Sequence, residues 1–360
     1  MPKPPEIRRP EAIDADWLTR ALQAARIEAV VSSFEARPVG TGQIGDSVRF
    51  RLTYARASDD APASIVGKFP SADPDSFRTG VALGNYVREV RFYQQLARTA
   101  LISTPVCHMA EVDEASGEFV LLMEDLAPAE QGDQLTGVTM AQAERVVDEA
   151  AKLHASHWED EAIEELAWVS GTRASPASQA TPEAVQMLWG GFRQRYGERL
   201  TADQIEVGEA LSGRFGRFAE LGEGPRCLTH NDFRPDNMMF ATAAGGRPVT
   251  VLDWQSVAFG AGAVDVAYFL AGALSPEARR AAEPALLQRY HAGLQARGVS
   301  GYGMDALRRD YATGGFLLFL TAFFAAMIVK QTPRGDDMFM QMIASGTRHI
   351  QDHDALALLS

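Results

Sequence analysis

Two stretches of this chain carry side chains that could do chemistry together. In "LTHNDFRPDNMMF", His230, Asp232 and Asn237 stand in the order HxDxxxxN, and in "PVTVLDWQSVAFG" Asp253 ends an apolar, strand-like run of Val249, Val251 and Leu252. Phosphoryl transfer asks little else of a protein: a carboxylate to orient and deprotonate an attacking hydroxyl, and oxygen ligands for a magnesium ion that neutralises phosphate charge. Asp232, Asn237 and Asp253 supply that set, although each taken singly could cap a turn. Upstream, "SIVGKFP" puts Lys68 in a short strand, and "YVREVRFYQQLA" puts Glu89 on the same helical face as Phe92, Tyr93 and Leu96. A carboxylate on an apolar face asks for a cation, and a lysine that bridges phosphate oxygens must be held by an acid behind it, so Lys68 and Glu89 are expected to pair. Taken alone, Lys68 would snorkel and Glu89 would face solvent. The ordered set of Lys68, Glu89, Asp232, Asn237 and Asp253 argues against that separate reading.

A glycine-rich stretch, "VGTGQIGDSVRF", precedes these groups and matches GxGxxG at Gly40, Gly42 and Gly45. A Rossmann turn needs a helix after the glycines. Here a strand follows, because Val48, Phe50, Leu52 and Tyr54 alternate with polar neighbours, so Asp59 and Asp60 match a ribose-binding acid only by accident. A P-loop fits the spacing from Gly40 to Gly45, with Ser47 in place, but Asp46 stands where a lysine must meet phosphate. What remains is strand, glycine turn, strand: a hairpin whose small residues let backbone N–H groups approach phosphates. Judged alone, an ordinary hairpin with a loose turn fits equally well. The downstream groups decide for a nucleotide loop in which Gly42, Gly45 and Ser47 face the phosphates.

The elements that must position these groups change character along the chain. "IDADWLTRALQAARI" reads as a short amphipathic helix capped by Asp14 or Asp16, with Leu18, Leu22 and Ile27 near one face. "VSSFEARPV", "SVRFRLTYA", "ASIVGKF" and "GEFVLLMEDL" read as strands, interrupted by the helical spacing of "NYVREVRFYQQLA". After Pro128 helices dominate: "TMAQAERVVDEAAKLHASHW", "PEAVQMLWGGFRQRYGERL", "PEARRAAEPALLQRYHAGLQARG" and the apolar "GGFLLFLTAFFAAMIVK" from Gly314 to Lys330. The last approaches the roughly 18 to 20 apolar residues of a membrane span, falls slightly short, and is followed by "QTPRGDDM", so a buried helix is expected. A strand-rich front and a helix-rich remainder predict an α+β protein of two lobes, joined near Glu124 to Pro128.

Composition bounds the function. The 360 residues are enough for two domains, and 34 basic against 47 acidic side chains, a formal charge of -13, argue against nucleic acid as a partner. Two cysteines, Cys107 and Cys227, suit neither a disulfide framework nor a four-ligand zinc site. The amino terminus has prolines and charges in place of a secretory apolar run, which predicts a cytoplasmic protein with no membrane partner.

"GTGQIGDS", "VGK", "REVRFY", "LLMEDL", "AKLHASHW", "HNDFRPDN" and "LDWQSVAFGAGAVDVAYFL" resemble, in order and over nearly the whole chain, the landmarks of the aminoglycoside phosphotransferase and choline kinase superfamily. "HNDFRPDN" and "DWQ...DVAYFL" look closest to its ecdysteroid-kinase-like branch and to the phosphotransferase domains found beside acyl-CoA dehydrogenases. The resemblance implies a bilobal protein-kinase-like fold, with a small antiparallel-sheet N-lobe over 1–126 and a larger, mainly helical C-lobe over 127–360. It implies Asp232 as the catalytic base, Asn237 and Asp253 as magnesium ligands, and Lys68 on the α and β phosphates of ATP or GTP with Glu89 behind it. Met123 would precede the hinge, and backbone groups of Glu124 and Leu126 would meet the adenine edge. Two departures stand out: Asn231 where many relatives have glycine, and Arg234 where they have histidine or tryptophan. Arg234 could approach a phosphate or an anionic acceptor, but a structural pairing with Asp236 or another acid is slightly favoured. His154 and His157, at helical spacing before Trp158, are read as packing, Asp265 as an internal anchor, and the stripe of Trp189, Phe192 and Tyr196 as core in a region where relatives build acceptor pockets.

The function expected is a magnesium-dependent kinase moving the γ-phosphoryl group of ATP or GTP to a hydroxyl of a small molecule, with a nucleotide-binding sensor or scaffold that lacks transfer as the alternative. A nicotinamide oxidoreductase fails on the strand after the glycines. The acceptor is not legible: excess acid permits a cation, the aromatic insert an apolar molecule.

Overall fold

The computed structural model describes residues 3–40, 44–170, 180–221 and 224–360. They form two compact units: one gathers the described residues of 1–98, 104–128 and 253–255, the other the remainder.

In the first unit, β1 (Ala29–Val39), β2 (Gly45–Ala57), β3 (Ser64–Pro70), β4 (Cys107–Val112) and β5 (Phe119–Glu124) form one antiparallel sheet in the order β1-β2-β3-β5-β4. The period-two pattern of β2 sets its inner face: Val48, Phe50 and Leu52 are buried and pack with Trp17, Leu18 and Leu22 of the Ala15–Ala24 helix. Asp14 caps that helix by accepting from the Trp17 N–H at 2.7 Å. Along β3, Ile65, Gly67 and Phe69 are buried while Val66 and Lys68 are half-buried, so Lys68 points away from the Trp17 core. Register then places Lys68 opposite Ser47 on β2 and Leu121 on β5, and a slip of one residue would send the ammonium into the apolar layer. The Asn85–Arg91 helix carries Glu89 and runs on as a π-helical turn over Phe92–Leu96.

In the second unit, β6 (Glu130–Gln131), β7 (Cys227–Thr229), β8 (Met238–Thr242), β9 (Gly245–Val251) and β10 (Ala258–Gly260) make two small sheets, β6-β8-β9 and β10-β7. Helices supply the mass of the unit: Met140–Ser156, Pro182–Tyr196, Ala202–Gly213, Gly262–Ala273, Pro276–Gln295, Met304–Ile328 and Pro333–Asp352. Thr139 and Gln142 form a reciprocal capping box at the first, and Thr181, Ser275 and Thr332 cap three others. The apolar stretch from Gly314 is part of the helix that begins at Met304 and ends at Ile328, leaving Lys330 outside it. By length and composition that helix could cross a membrane, yet 67% of its most apolar window is buried within the protein. Gly314 explains how: a β-carbon there would stand 2.3 Å from the Ala267 β-carbon, so the hydrogen lets two helices touch backbone to backbone. Trp189, Phe192 and Tyr196 pack with Phe319 and Phe323 of the same helix, which makes the aromatic stripe core.

Candidate active site

In the first unit the groups singled out by sequence meet around Lys68. Its Nζ lies 2.8 Å from a Glu89 oxygen and 3.1 Å from Asp253 Oδ1. Glu89 is 2% exposed, and the apolar face that carries it is sealed by Phe92, whose ring stacks on Trp254 at a centroid distance of 3.8 Å. Burial alone would disfavour the ammonium, but Asp253 and Glu89 together raise its pKa above the ordinary lysine value. Burial pushes the Glu89 carboxyl up against the pull of Lys68. The lysine is therefore a charged donor held between two acids. Asp253 sits at φ +64°, a left-handed conformation that costs a non-glycine residue about 1 kcal/mol or more. Its second oxygen takes a long contact from Gln255 Nε2 at 3.4 Å.

The first residues of β2 frame the same lysine. Gly45 opens β2, where a β-carbon would come within 3.0 Å of the Phe69 carbonyl and 3.4 Å of Lys68 Cε; Ser47 is the register partner of Lys68. Gly42 lies outside the described residues. The segment after β5 is also anchored. Glu124 gives its N–H to the Val106 carbonyl at 2.8 Å, and Leu126 follows, half-buried, outside any strand. Between them Asp125 accepts from Ser64 Oγ at 2.6 Å and from the Ala127 N–H at 3.2 Å, and pairs with Arg49 at 2.7 Å. Burial would raise its pKa, but Ser64, the Ala127 N–H and Arg49 bring it below the usual aspartate value.

In the second unit "HNDFRPDN" forms a loop between β7 and β8, stiffened from behind by Asp265. Its two oxygens accept the backbone N–H groups of His230 at 2.6 Å and Asn231 at 2.9 Å, and one also meets His154 Nε2 at 3.2 Å. Asp265 is thus the anchor the sequence suggested. His154, fully buried, turns its other nitrogen to Tyr290 at 2.7 Å, and His157 pairs with Asp160 and Thr99, so both histidines pack. Asn231 sits at φ +61°, in the left-handed region that asparagine enters most readily after glycine. Its side chain adds bonds to Thr229 and the Ser256 carbonyl.

Asp232 is held on both oxygens. Asn237 Nδ2 donates to Oδ2 at 2.7 Å and to the Asp232 carbonyl at 2.8 Å; Arg234 Nε and the Tyr268 hydroxyl donate to Oδ1 at 3.0 and 3.1 Å. Because Asn237 spends its amide hydrogens on Asp232, its carbonyl oxygen is the atom it can offer a cation. Arg234 also stands 3.5 Å from Asp236, which pairs more closely with Arg334 at 2.8 Å. The structural pairing expected for Arg234 is there, but its nearer partner is Asp232. Burial works against the guanidinium charge, and Asp232 and Asp236 more than restore it. Tyr268 escaped the sequence reading, although it lies three residues after Asp265 on one helix and so shares its face. Burial and the neighbouring Asp232 drive its pKa well above 10, which keeps the phenol a neutral donor.

Comparison with known proteins bears on this arrangement. Residues 42–302, well over half of the chain, match the sequence profile of the phosphotransferase enzyme family. Among solved structures, a Plasmodium vivax ethanolamine kinase superposes with a TM-score of 0.51 at 10% identity, over 89% of this chain and 81% of that one. The gentamicin complex of APH(2")-IIa gives 0.52 at 15% identity, over 94% and 98%. The streptomycin-ATP ternary complex of the same protein gives 0.50 at 14%, again over 94% and 98%. Identities this low carry the fold alone. No curated protein sequence matches significantly. The profile match spans the glycine loop, Lys68, Glu89, the "HNDFRPDN" loop and Asp253, and on it the chain belongs to the phosphotransferase enzyme family.

Proposed function

We propose that this chain transfers the γ-phosphoryl group of ATP or GTP to a hydroxyl of a small metabolite or antibiotic-like acceptor, with magnesium. The observation that carries the reading is Lys68, a half-buried ammonium gripped by Glu89 at 2.8 Å and by Asp253 at 3.1 Å. A structural ion pair needs one acid; a lysine shared between a helix acid and a strand-end acid is poised to give the second contact to phosphate oxygens. Asn237 and Asp253 fit a magnesium ion in kind, since each offers a hard oxygen donor. The ion's contribution when bound is to neutralise phosphate charge as it moves to the leaving oxygen.

The chain's own groups supply the rest. Asp232 orients the acceptor hydroxyl and takes its proton on Oδ2, the oxygen that accepts from Asn237, while Tyr268 and Arg234 fix Oδ1. Lys68 binds the α and β phosphates, and backbone N–H groups of the glycine-rich stretch that holds Gly42, Gly45 and Ser47 approach them. Backbone groups of Glu124 and Leu126 meet the adenine edge, in a segment that Asp125 keeps in place. The 1–126 and 127–360 division expected for the two lobes serves this division of labour. The ecdysteroid-kinase-like branch remains a reading of the motifs.

The test is a screen of hydroxylated metabolites by ADP release from Mg-ATP and Mg-GTP, followed by the variants on the acceptor found. Acceptor-dependent ADP release supports the reading. Tight Mg-ATP binding with transfer to no acceptor would favour a nucleotide sensor instead.

A further inference from the structure

One cluster of ligating side chains plays no part in the phosphotransferase reading. His349, on the Pro333–Asp352 helix, and His353, its C-cap residue, are four positions apart and so lie on one face. Their rings stand 4.6 Å apart between centroids. Glu283 reaches them from the Pro276–Gln295 helix, with Oε1 3.1 Å from His353 Nε2. One ligand atom from each of the three lies within 4.8 Å of the others. Around a tetrahedral zinc ion such atoms are roughly 3.4 Å apart, so a shift of about an ångström closes the set.

A second, independent observation points to a ligand. His349 is fully buried, and among the described residues neither of its ring nitrogens has a hydrogen-bond partner. An orphaned buried imidazole carries the desolvation cost of its unmade hydrogen bonds, and a metal bond removes that cost. The acid is already oriented as a metal ligand would be: its far oxygen, Oε2, accepts from the Tyr311 hydroxyl at 2.9 Å and from Arg279 Nη1 at 2.5 Å, leaving Oε1 toward the histidines. Arg279 is the charge that opposes a cation here. It is also held by Asp352, so it can stay paired when Oε1 is engaged, giving up only a 3.5 Å contact with His353. Its presence should weaken binding without preventing it. The side chain of His353 is 22% exposed, which leaves an entry side and room for a water as fourth ligand.

We infer that Glu283, His349 and His353 form a zinc site that staples the Pro276–Gln295 and Pro333–Asp352 helices. Two imidazoles and one carboxylate select zinc over magnesium, which prefers an all-oxygen shell. The site is independent of the proposed kinase chemistry and stands or falls without it.

The test titrates the full-length protein, stripped with EDTA and held in excess magnesium to fill the oxygen sites, with Co²⁺ and then Zn²⁺. The expected result is one equivalent of cobalt with visible d–d bands, displaced by zinc, and a melting midpoint raised by roughly 3 °C at a hundredfold excess of zinc over its Kd. His353→Ala and Glu283→Gln, both at the edge of the cluster, should weaken zinc about 100-fold or more. His349→Ala should do the same if it folds, and the two edge variants decide the matter if it does not. No saturable cobalt or zinc binding, binding unchanged in both edge variants, or displacement of cobalt by magnesium would each overturn the site.

Discussion

At the scale of single residues the account rests on charges that cannot be removed one at a time without consequence. Lys68→Met should weaken Mg-ATP binding about tenfold or more, read by calorimetry, because the phosphates lose their paired cation. It also leaves Glu89 buried without its partner. Burial already pushes that carboxyl up, and losing the ammonium pushes it further, so its folded pKa lies above its unfolded one. A group raised in this way contributes stability below its unfolded pKa and loses it as pH rises through the folded value. The stability deficit of Lys68→Met should therefore widen from pH 5 to pH 9 in urea melts; a deficit that narrows would contradict the burial argument. Tyr268→Phe should lower turnover about tenfold, the worth of one hydrogen bond to a charged acceptor, with Mg-ATP affinity unchanged. An equal loss of nucleotide affinity would show that Tyr268 holds the fold and not the base.

At the scale of elements, strand register does the positioning. Alternation in the sequence of β2 put Val48, Phe50 and Leu52 on one face, whereas the burial of Ile65 and Phe69 on β3, with Lys68 turned the other way, shows only in the structure. Helical spacing likewise put Glu89 among Phe92, Tyr93 and Leu96, all buried. Contacts between distant elements were not legible, because no local period records them: Tyr268 on Asp232 and the Asp125 tie to Ser64 and Arg49 each depend on how two elements pack. Asp125→Ala tests the last. It should cost about 1.5–3 kcal/mol at pH 7 and weaken nucleotide binding by loosening the Glu124 to Leu126 segment. Because the Asp125 pKa is held below its unfolded value, the stability it contributes is present above about pH 4 and lost as pH falls through the folded value. The difference between wild type and variant should shrink in that range.

At the scale of the whole molecule, the order of motifs along the chain was enough to indicate the family, since glycine turn, Lys68, Glu89, "HNDFRPDN" and Asp253 occur in one sequence that few other functions would require. The acceptor stayed hidden because nothing in the nucleotide machinery depends on it. EDTA should abolish phosphoryl transfer, with magnesium restoring it, whereas zinc at Glu283, His349 and His353 should change melting and leave the transfer step alone. Asp253→Asn should impair magnesium-dependent nucleotide binding and transfer together. The most direct test of the central claim is acceptor-dependent ADP release by Asp232→Asn beside its Mg-ATP affinity. Asparagine preserves the shape of the loop, so affinity should stay within a few-fold of wild type while transfer falls by about 100-fold or more. Full transfer by Asp232→Asn would contradict the assignment of the base, and with it the account of how this chain moves a phosphoryl group.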